Sequence, residues 1–179
     1  MLRQWQIEFL DKKNHLREGF SCGEESLDSY LKIRARKAQE SWTGRTWVAL
    51  DGSQPPDEAG RRPVLGYYTV AMSSIDVSVM PAPASKSLPH PVPAALLARL
   101  AVDESAQGER LGSLLLIDAL TRVAKASEEV SAYAVVLDAL TARAKGFYEQ
   151  YGFLELTDNP MHLFLPMASV LELVGSPGS

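Results

Sequence analysis

Residues 96–113, LLARLAVDESAQGERLGS, constrain the fold of this chain more than any other stretch. A continuous apolar run from 96 to 102 stops at the acidic pair Asp103-Glu104, and the loop Gln107-Gly108-Glu109-Arg110-Leu111-Gly112 follows. An apolar pattern of helical period then starts at Leu114. A buried strand, a glycine-bearing loop and a helix in that order turn successive main-chain N–H groups toward one point. The positive end of the helix dipole is aimed at the same place, which suits an anion. The segment predicts a site for a phosphate-bearing ligand.

Composition narrows the setting. At 179 residues the chain suits one domain with a single core, expected over residues 1–174, with 175–179 as a disordered tail. One cysteine, Cys22, excludes an intrachain disulfide and fits a reducing, cytoplasmic setting. With only His15, His90 and His162 beside it, no metal site is expected. The first residues, MLRQWQIEFLDKK, lack the apolar core of a leader, and no run is long enough to span a bilayer. A net charge of −4 gives no global basic signature for nucleic acid and leaves local basic patches open.

Periodicity orders the elements. Residues 5–10 read as a first strand, 11–21 as a loop, and 24–41 as a helix with Leu27, Tyr30, Leu31, Arg34 and Ala38 at helical spacing. A short strand at 47–50 and a β-rich run at 64–75 flank a polar hairpin loop, 51–63. Five prolines in 78–93 exclude a central strand there and predict a surface connection. A buried strand at 96–102 leads into an amphipathic helix at 111–127. A strand at 131–139, a helix at 141–151 stopped by Gly152, and two last strands at 153–156 and 161–165 complete the chain. The order β-α-β-β-β-α-β-α-β-β predicts an α/β sandwich with a mixed central β-sheet flanked by helices.

A second pattern lies downstream of a strand: Lys145-Gly146-Phe147-Tyr148-Glu149-Gln150-Tyr151-Gly152-Phe153. The loop from Gln107 to Gly112 resembles the acyl-CoA pyrophosphate loop of the GNAT superfamily of N-acetyltransferases, written [RQ]-x-x-G-x-[GA], in which Gln107 and Gly112 fit and Arg110 stands where glycine is usual. The FYxxxGF element resembles the segment that closes the active site of those enzymes. In the N-terminal half, Phe20-x-Cys22-Gly23-x-x-x-Leu27-Asp28-x-Tyr30-Leu31, a basic helix and VLGYYTVA resemble the acetyltransferase toxins of bacterial type II toxin–antitoxin systems. That likeness runs from about Leu10 to Met167.

The resemblance implies a GNAT fold whose splayed strands form the acetyl-CoA site. It implies the free α-amine of an aminoacyl-tRNA as substrate, blocked translation as outcome, and a ribbon-helix-helix antitoxin as partner. It also implies a homodimer. Acetyl transfer requires a polarised thioester carbonyl, a neutral amine and a proton for the departing thiolate. Main-chain N–H groups at Leu100, Ala101 and Val102 suit the first need. Tyr148 suits the last, because a phenol with a reference pKa near ~10 is protonated at pH 7; core packing is its other reading. Gln107, Gly108, Glu109, Arg110, Leu111, Gly112 and Ser113 form the pyrophosphate cradle, with Arg110 expected to serve if its φ is negative. Asp103 and Glu104 read as turn caps or as water-mediated bases, and Thr141 as a helix cap. Lys32, Arg34, Arg36 and Lys37 with Arg45, and Arg99, Arg143 and Lys145, are the candidate RNA contacts, Lys32, Arg36, Arg99 and Arg143 foremost, against the plainer reading of solvated charge. Two rival functions stand beside this one. The first is acetylation of a small-molecule or protein amine, and the second a catalytically weak partner of a DNA-bound antitoxin.

Overall fold

The computed structural model describes residues 2–175. Its strands are β1 (Trp5–Phe9), β2 (His15–Leu16), β3 (Arg45–Asp51), β4 (Arg62–Pro63), β5 (Gly66–Ile75), β6 (Val92–Val102), β7 (Ala134–Asp138), β8 (Leu154–Glu155) and β9 (His162–Pro166). The helices are α1 (Glu25–Ser29), continued through a π turn at Tyr30–Arg34 into α2 (Ala35–Glu40), then α3 (Leu111–Ala126), α4 (Ala142–Glu149) and α5 (Met167–Val174). Seven strands form a sheet in the order β1-β3-β5-β6-β7-β9-β8, and β2 pairs with β4 in a second, two-stranded sheet. The pairing is mixed: β1/β3, β3/β5, β7/β9 and β8/β9 are antiparallel, whereas β6/β7 is parallel.

The chain divides into two compact units, one of residues up to Ala71 with Arg99–Leu116, the other of Met72–Ala98 with residues from Ile117 onward. The first is built on Leu10, Phe20, Leu31, Ala35, Val48, Leu50, Val64, Tyr67 and Ala101. In it Gly66 is required by close approach. A Cβ there would meet Leu115 Cδ1 at 2.8 Å and Leu111 Cδ2 at 3.0 Å, so its absence lets the start of α3 lie against β5. The second unit packs Ile75, Met80, Val92, Ala94, Ala134, Val136, Leu156 and Phe164.

Four features depart from the sequence reading. The proline-rich connection ends earlier than expected, because β6 begins at Val92 and includes Pro93. Proline lacks a donor but keeps its acceptor, and the Pro93 carbonyl takes the Tyr133 N–H at 2.8 Å. The two regions expected as loops, 11–21 and 51–63, supply β2 and β4. The basic helix carries a π turn, in which the Ala35 N–H bonds the Tyr30 carbonyl five residues back. Finally, α5 follows β9 directly after Pro166 and buries Val170. The expected tail, 175–179, lies outside the described residues except for Gly175. No helix among the described residues is long and apolar enough to cross a membrane.

Candidate active site

The first unit holds the phosphate-loop candidates. After β6, Asp103 caps a 3-10 turn at Glu104–Ala106. Its carboxylate accepts the Ser105 N–H at 2.9 Å, the Ser105 hydroxyl at 2.6 Å and the Ser21 N–H at 2.9 Å. Partial burial pushes that carboxyl up, but the Ser105 hydroxyl, the two amides and the Arg3 charge together hold it below the ordinary aspartate range. Asp103 is thereby a cap, engaged on both oxygens. The Gln107 side chain donates to the Cys22 carbonyl at 3.0 Å and the Val102 carbonyl at 3.1 Å, tying the loop to the end of β6.

The loop turns through two left-handed residues, Gly108 at φ +83° and Arg110 at φ +61°. The condition under which Arg110 was expected to serve, a negative φ, is therefore not met. The chain makes the bend that glycine makes without penalty, with an arginine. The first helical bond runs from the Leu114 N–H to the Arg110 carbonyl at 3.2 Å, so the amides of Leu111, Gly112 and Ser113 precede it. Such first-turn donors have no intrahelical partner and form a natural anion cradle. Beside Gly108 a Cβ would meet nothing within 4 Å, leaving the main chain open to a ligand. Glu109, whose charge would oppose an anion, is drawn into an ion pair with Arg3 at 3.4 Å. No sequence pattern singled out Arg3.

The β6/β7 ladder runs only from Ala94↔Ala134 to Leu96↔Val136, although β6 continues to Val102 and β7 to Asp138. Parallel pairing thus stops six residues before the end of β6. Leu100, Ala101 and Val102 lie on the stretch of β6 beyond its ladder with β7, with Ala101 buried.

The second unit holds Tyr148. Thr141 caps α4, its hydroxyl accepting the Ala144 N–H at 3.1 Å. Tyr148 lies in the last turn and is 8% exposed. Its ring packs edge-on against Phe147 at 5.2 Å and Phe153 at 5.6 Å. Gly152, at φ +93°, reverses the chain so that the Phe153 N–H returns to the Tyr148 carbonyl at 3.4 Å. The FYxxxGF spacing is therefore a helix end that folds its own aromatic lid onto the tyrosine. Burial pushes the phenol well above its usual pKa. Its hydroxyl has no hydrogen-bond partner among the described residues.

The basic candidates separate. Lys32, in the π turn, is exposed, and Arg36 is paired with Glu40 at 3.2 Å. Arg99 stacks its guanidinium over the Tyr30 ring at 4.7 Å. Arg143 is exposed on α4 in the second unit. Nearby Lys145 is engaged by Glu149 at 3.6 Å and by Glu155.

The sequence missed what supports the helix end of the first unit. Tyr67 donates its hydroxyl to the Leu27 carbonyl at 2.7 Å, and its ring stacks with Tyr30 at 6.3 Å. Arg17 donates to the Leu31 and Lys32 carbonyls at 3.2 and 3.3 Å, engaging acceptors within the π turn. Cys22 packs against this core, and burial together with Asp28 pushes its thiol up to about 12, so it carries no thiolate chemistry.

The family model of the acetyltransferase (GNAT) domain matches residues 42–155. The chain belongs to the GNAT acetyltransferases. It is 36% identical over 156 residues to a tRNA-acetylating toxin of Mycobacterium tuberculosis (strain ATCC 25618 / H37Rv), covering 87% of this chain and 89% of the relative. It also resembles the structure of AtaT complexed with acetyl-methionyl-tRNAfMet, with a TM-score of 0.84 and 30% identity over 95% of this chain and 99% of that one. A tyrosine-to-phenylalanine mutant of the AtaT toxin, bound to the C-terminus of the antitoxin AtaR and acetyl-CoA, superposes with a TM-score of 0.80 at 28% identity, covering 96% of this chain and 99% of that one.

These likenesses agree with the local geometry of this acetyltransferase. Its α/β fold with a mixed seven-stranded sheet is the GNAT fold. The open glycine and the free first-turn amides fit a pyrophosphate-bearing acyl carrier. Among the described residues no group of three or more His, Cys, Asp or Glu side chains is placed to hold a metal ion.

Proposed function

We propose that this acetyltransferase transfers the acetyl group of acetyl-CoA to the α-amine of an aminoacyl-tRNA. It thereby acts as a translation-blocking toxin of a toxin–antitoxin pair. The 36% identity to a tRNA-acetylating toxin over 87% of the chain carries this reading. The AtaT complexes with acetyl-CoA, antitoxin and acetylated tRNA support it. A ribbon-helix-helix antitoxin, a homodimer and a cytoplasmic location complete the proposal.

When bound, acetyl-CoA supplies an acetyl thioester whose leaving group is a thiolate. The amides of Gly108, Glu109, Leu111, Gly112 and Ser113 hold the pyrophosphate, with Gln107 keeping the loop in shape and Arg110 setting its turn. The main chain at Leu100, Ala101 and Val102 orients the acyl arm and polarises the carbonyl. Tyr148 holds a proton on its hydroxyl and delivers it to the departing sulfur, while the proton shed by the acylated amine nitrogen passes to solvent, from which the phenol is restored. Burial keeps that proton in place, and a hydroxyl not engaged by the protein is free to donate. An aminoacyl ester's α-amine is less basic than a lysine side chain, so the substrate itself supplies a neutral fraction at pH 7. No strong base is needed. Lys32, Arg36, Arg99 and Arg143 are proposed RNA contacts, weighed against an overall charge of −4.

That charge favours a second reading, acetylation of a small or protein amine. Incubation with a pool of charged tRNA and labelled acetyl-CoA separates the two. Label in the aminoacyl moiety is expected. Label confined to free or protein amines would overturn the tRNA assignment.

A further inference from the structure

Trp42 is the most exposed of the three tryptophans, at 81%, and it stands at an unusual place. It follows the C-cap Ser41 of α2, with φ +62°. The helix end closes around it: the Trp42 N–H reaches the Gln39 carbonyl at 3.2 Å and the Thr43 N–H the Ala38 carbonyl at 2.9 Å. This left-handed position is the one glycine takes by default, and a bulky residue there is strained. Strain of this kind persists where the side chain is used. Packing is not that use, because the indole is in solvent.

The indole is organised nonetheless. Arg45 lays its guanidinium over the Trp42 ring at 4.1 Å and over Phe9 at 5.7 Å. Phe9, itself exposed, meets Trp47 edge-on at 5.4 Å, and Trp47 stacks on Tyr68 at 5.5 Å with the planes 17° apart. The end of β1 and the end of α2 are held together by Gln39, which donates to the Leu10 carbonyl and accepts the Thr46 N–H. Exposed Lys12 and Lys13 follow β1, and exposed Lys37 precedes Trp42 by just over a helical turn. None of the three has an ion-pair partner among the described residues. The result is an exposed aromatic surface with one face backed by a cation, between the edge strand β1 and the end of α2, the two elements that carry or precede these lysines.

We propose that Trp42, backed by Arg45 and Phe9, is a stacking platform for an unpaired nucleobase of the RNA substrate, with Lys12, Lys13 and Lys37 facing its phosphates. The proposal rests on the reading of tRNA as substrate. Aromatic stacking tolerates any base, and lysines beside it answer the backbone charge, which is the chemistry of single-stranded RNA contact. It places an RNA contact on a chain whose overall charge is negative, and it adds an aromatic face to Lys37 and Arg45, which the sequence already offered as basic candidates.

The test compares wild type, Trp42→Gly and Trp42→Phe, using uncharged tRNA and a short unstructured RNA in fluorescence-anisotropy titrations. Acetylation kinetics on charged tRNA, acetyl-CoA titration and thermal unfolding accompany them. Glycine relieves the backbone strain, so Trp42→Gly is expected to be at least as thermally stable as wild type. It should bind acetyl-CoA equally but bind RNA roughly tenfold more weakly. The KM for tRNA should rise with little change in kcat, and Trp42→Phe should recover most of the loss. Unchanged RNA affinity and KM in Trp42→Gly, while wild type acetylates tRNA, would overturn the platform and leave the function standing. Unchanged RNA affinity accompanied by a halved mass in light scattering would overturn it in favour of a contact between copies of the chain. Wild type that neither binds nor acetylates tRNA would remove the substrate reading and the platform together.

Discussion

Tyr148 keeps its proton because its ring is enclosed by Phe147 and Phe153, and it can give that proton up because no protein group holds the hydroxyl. Tyr148→Phe removes one oxygen and no packing. Its thermal midpoint and acetyl-CoA affinity should match wild type, while kcat falls by about 10²-fold or more. Single-turnover transfer to charged tRNA measures this, and wild-type turnover would take the phenol out of the mechanism. Arg110 shows the opposite relation of residue to backbone, since it occupies φ +61° where glycine is unstrained. Arg110→Gly should stabilise the fold by about 1 kcal/mol in urea unfolding and leave acetyl-CoA binding intact or improved. A large loss of affinity would make the guanidinium itself a ligand.

At the scale of elements, two devices hold the candidate site in shape from a distance in sequence. Gln107 fastens the phosphate loop to the carbonyls of Cys22 and Val102. Gln107→Ala should weaken acetyl-CoA binding more than it lowers kcat, as read by calorimetry beside saturating kinetics. Arg17 engages two carbonyls within the π turn that joins α1 to α2. Losing a charge-assisted donor to partly buried acceptors costs about 1–3 kcal/mol. Arg17→Ala should destabilise by that order and speed hydrogen exchange of amides in the helix while sparing α4. Uniform exchange across both elements would show that Arg17 does not act locally. These devices were invisible in sequence for one reason: each partner lies at least five residues away, and for Arg17 and for the Cys22 contact of Gln107 fourteen or more, without periodicity. The helix end at Gly152, the Thr141 cap and the Asp103 cap were legible because each closes within a few residues.

For the molecule as a whole, acid sensitivity is expected from aspartates whose hydrogen bonds hold their carboxyls below the ordinary range. The Ser53 hydroxyl, with the Ser53 and Gln4 amides and the Arg3 charge, holds Asp51 below the ordinary range, and Asp103 is likewise held down by Ser105 and Ser21. A depressed folded pKa contributes stability that is present above the unfolded value, near ~3.9, and lost as pH falls through the folded one. The urea midpoint should therefore be level above about pH 5 and drop below about pH 4. Asp51→Asn should lower the plateau and shallow the drop. An acid limb unchanged in Asp51→Asn would place the sensitivity elsewhere.

The sequence by itself determined the order of most elements, the GNAT resemblance and the chemical character of Gln107–Ser113 and Tyr148. A glycine loop before a helix, and an aromatic helix end with its returning phenylalanine, are made by residues that are neighbours in the chain. Tertiary structure alone decided the left-handed turn at Arg110, the Arg3 partner that draws off the Glu109 charge, the point at which the β6/β7 ladder stops, and the stack of Trp42, Arg45 and Phe9. Each of these depends on which distant residues arrive beside a given backbone, and in a chain with no repeating pattern between them only folding supplies that.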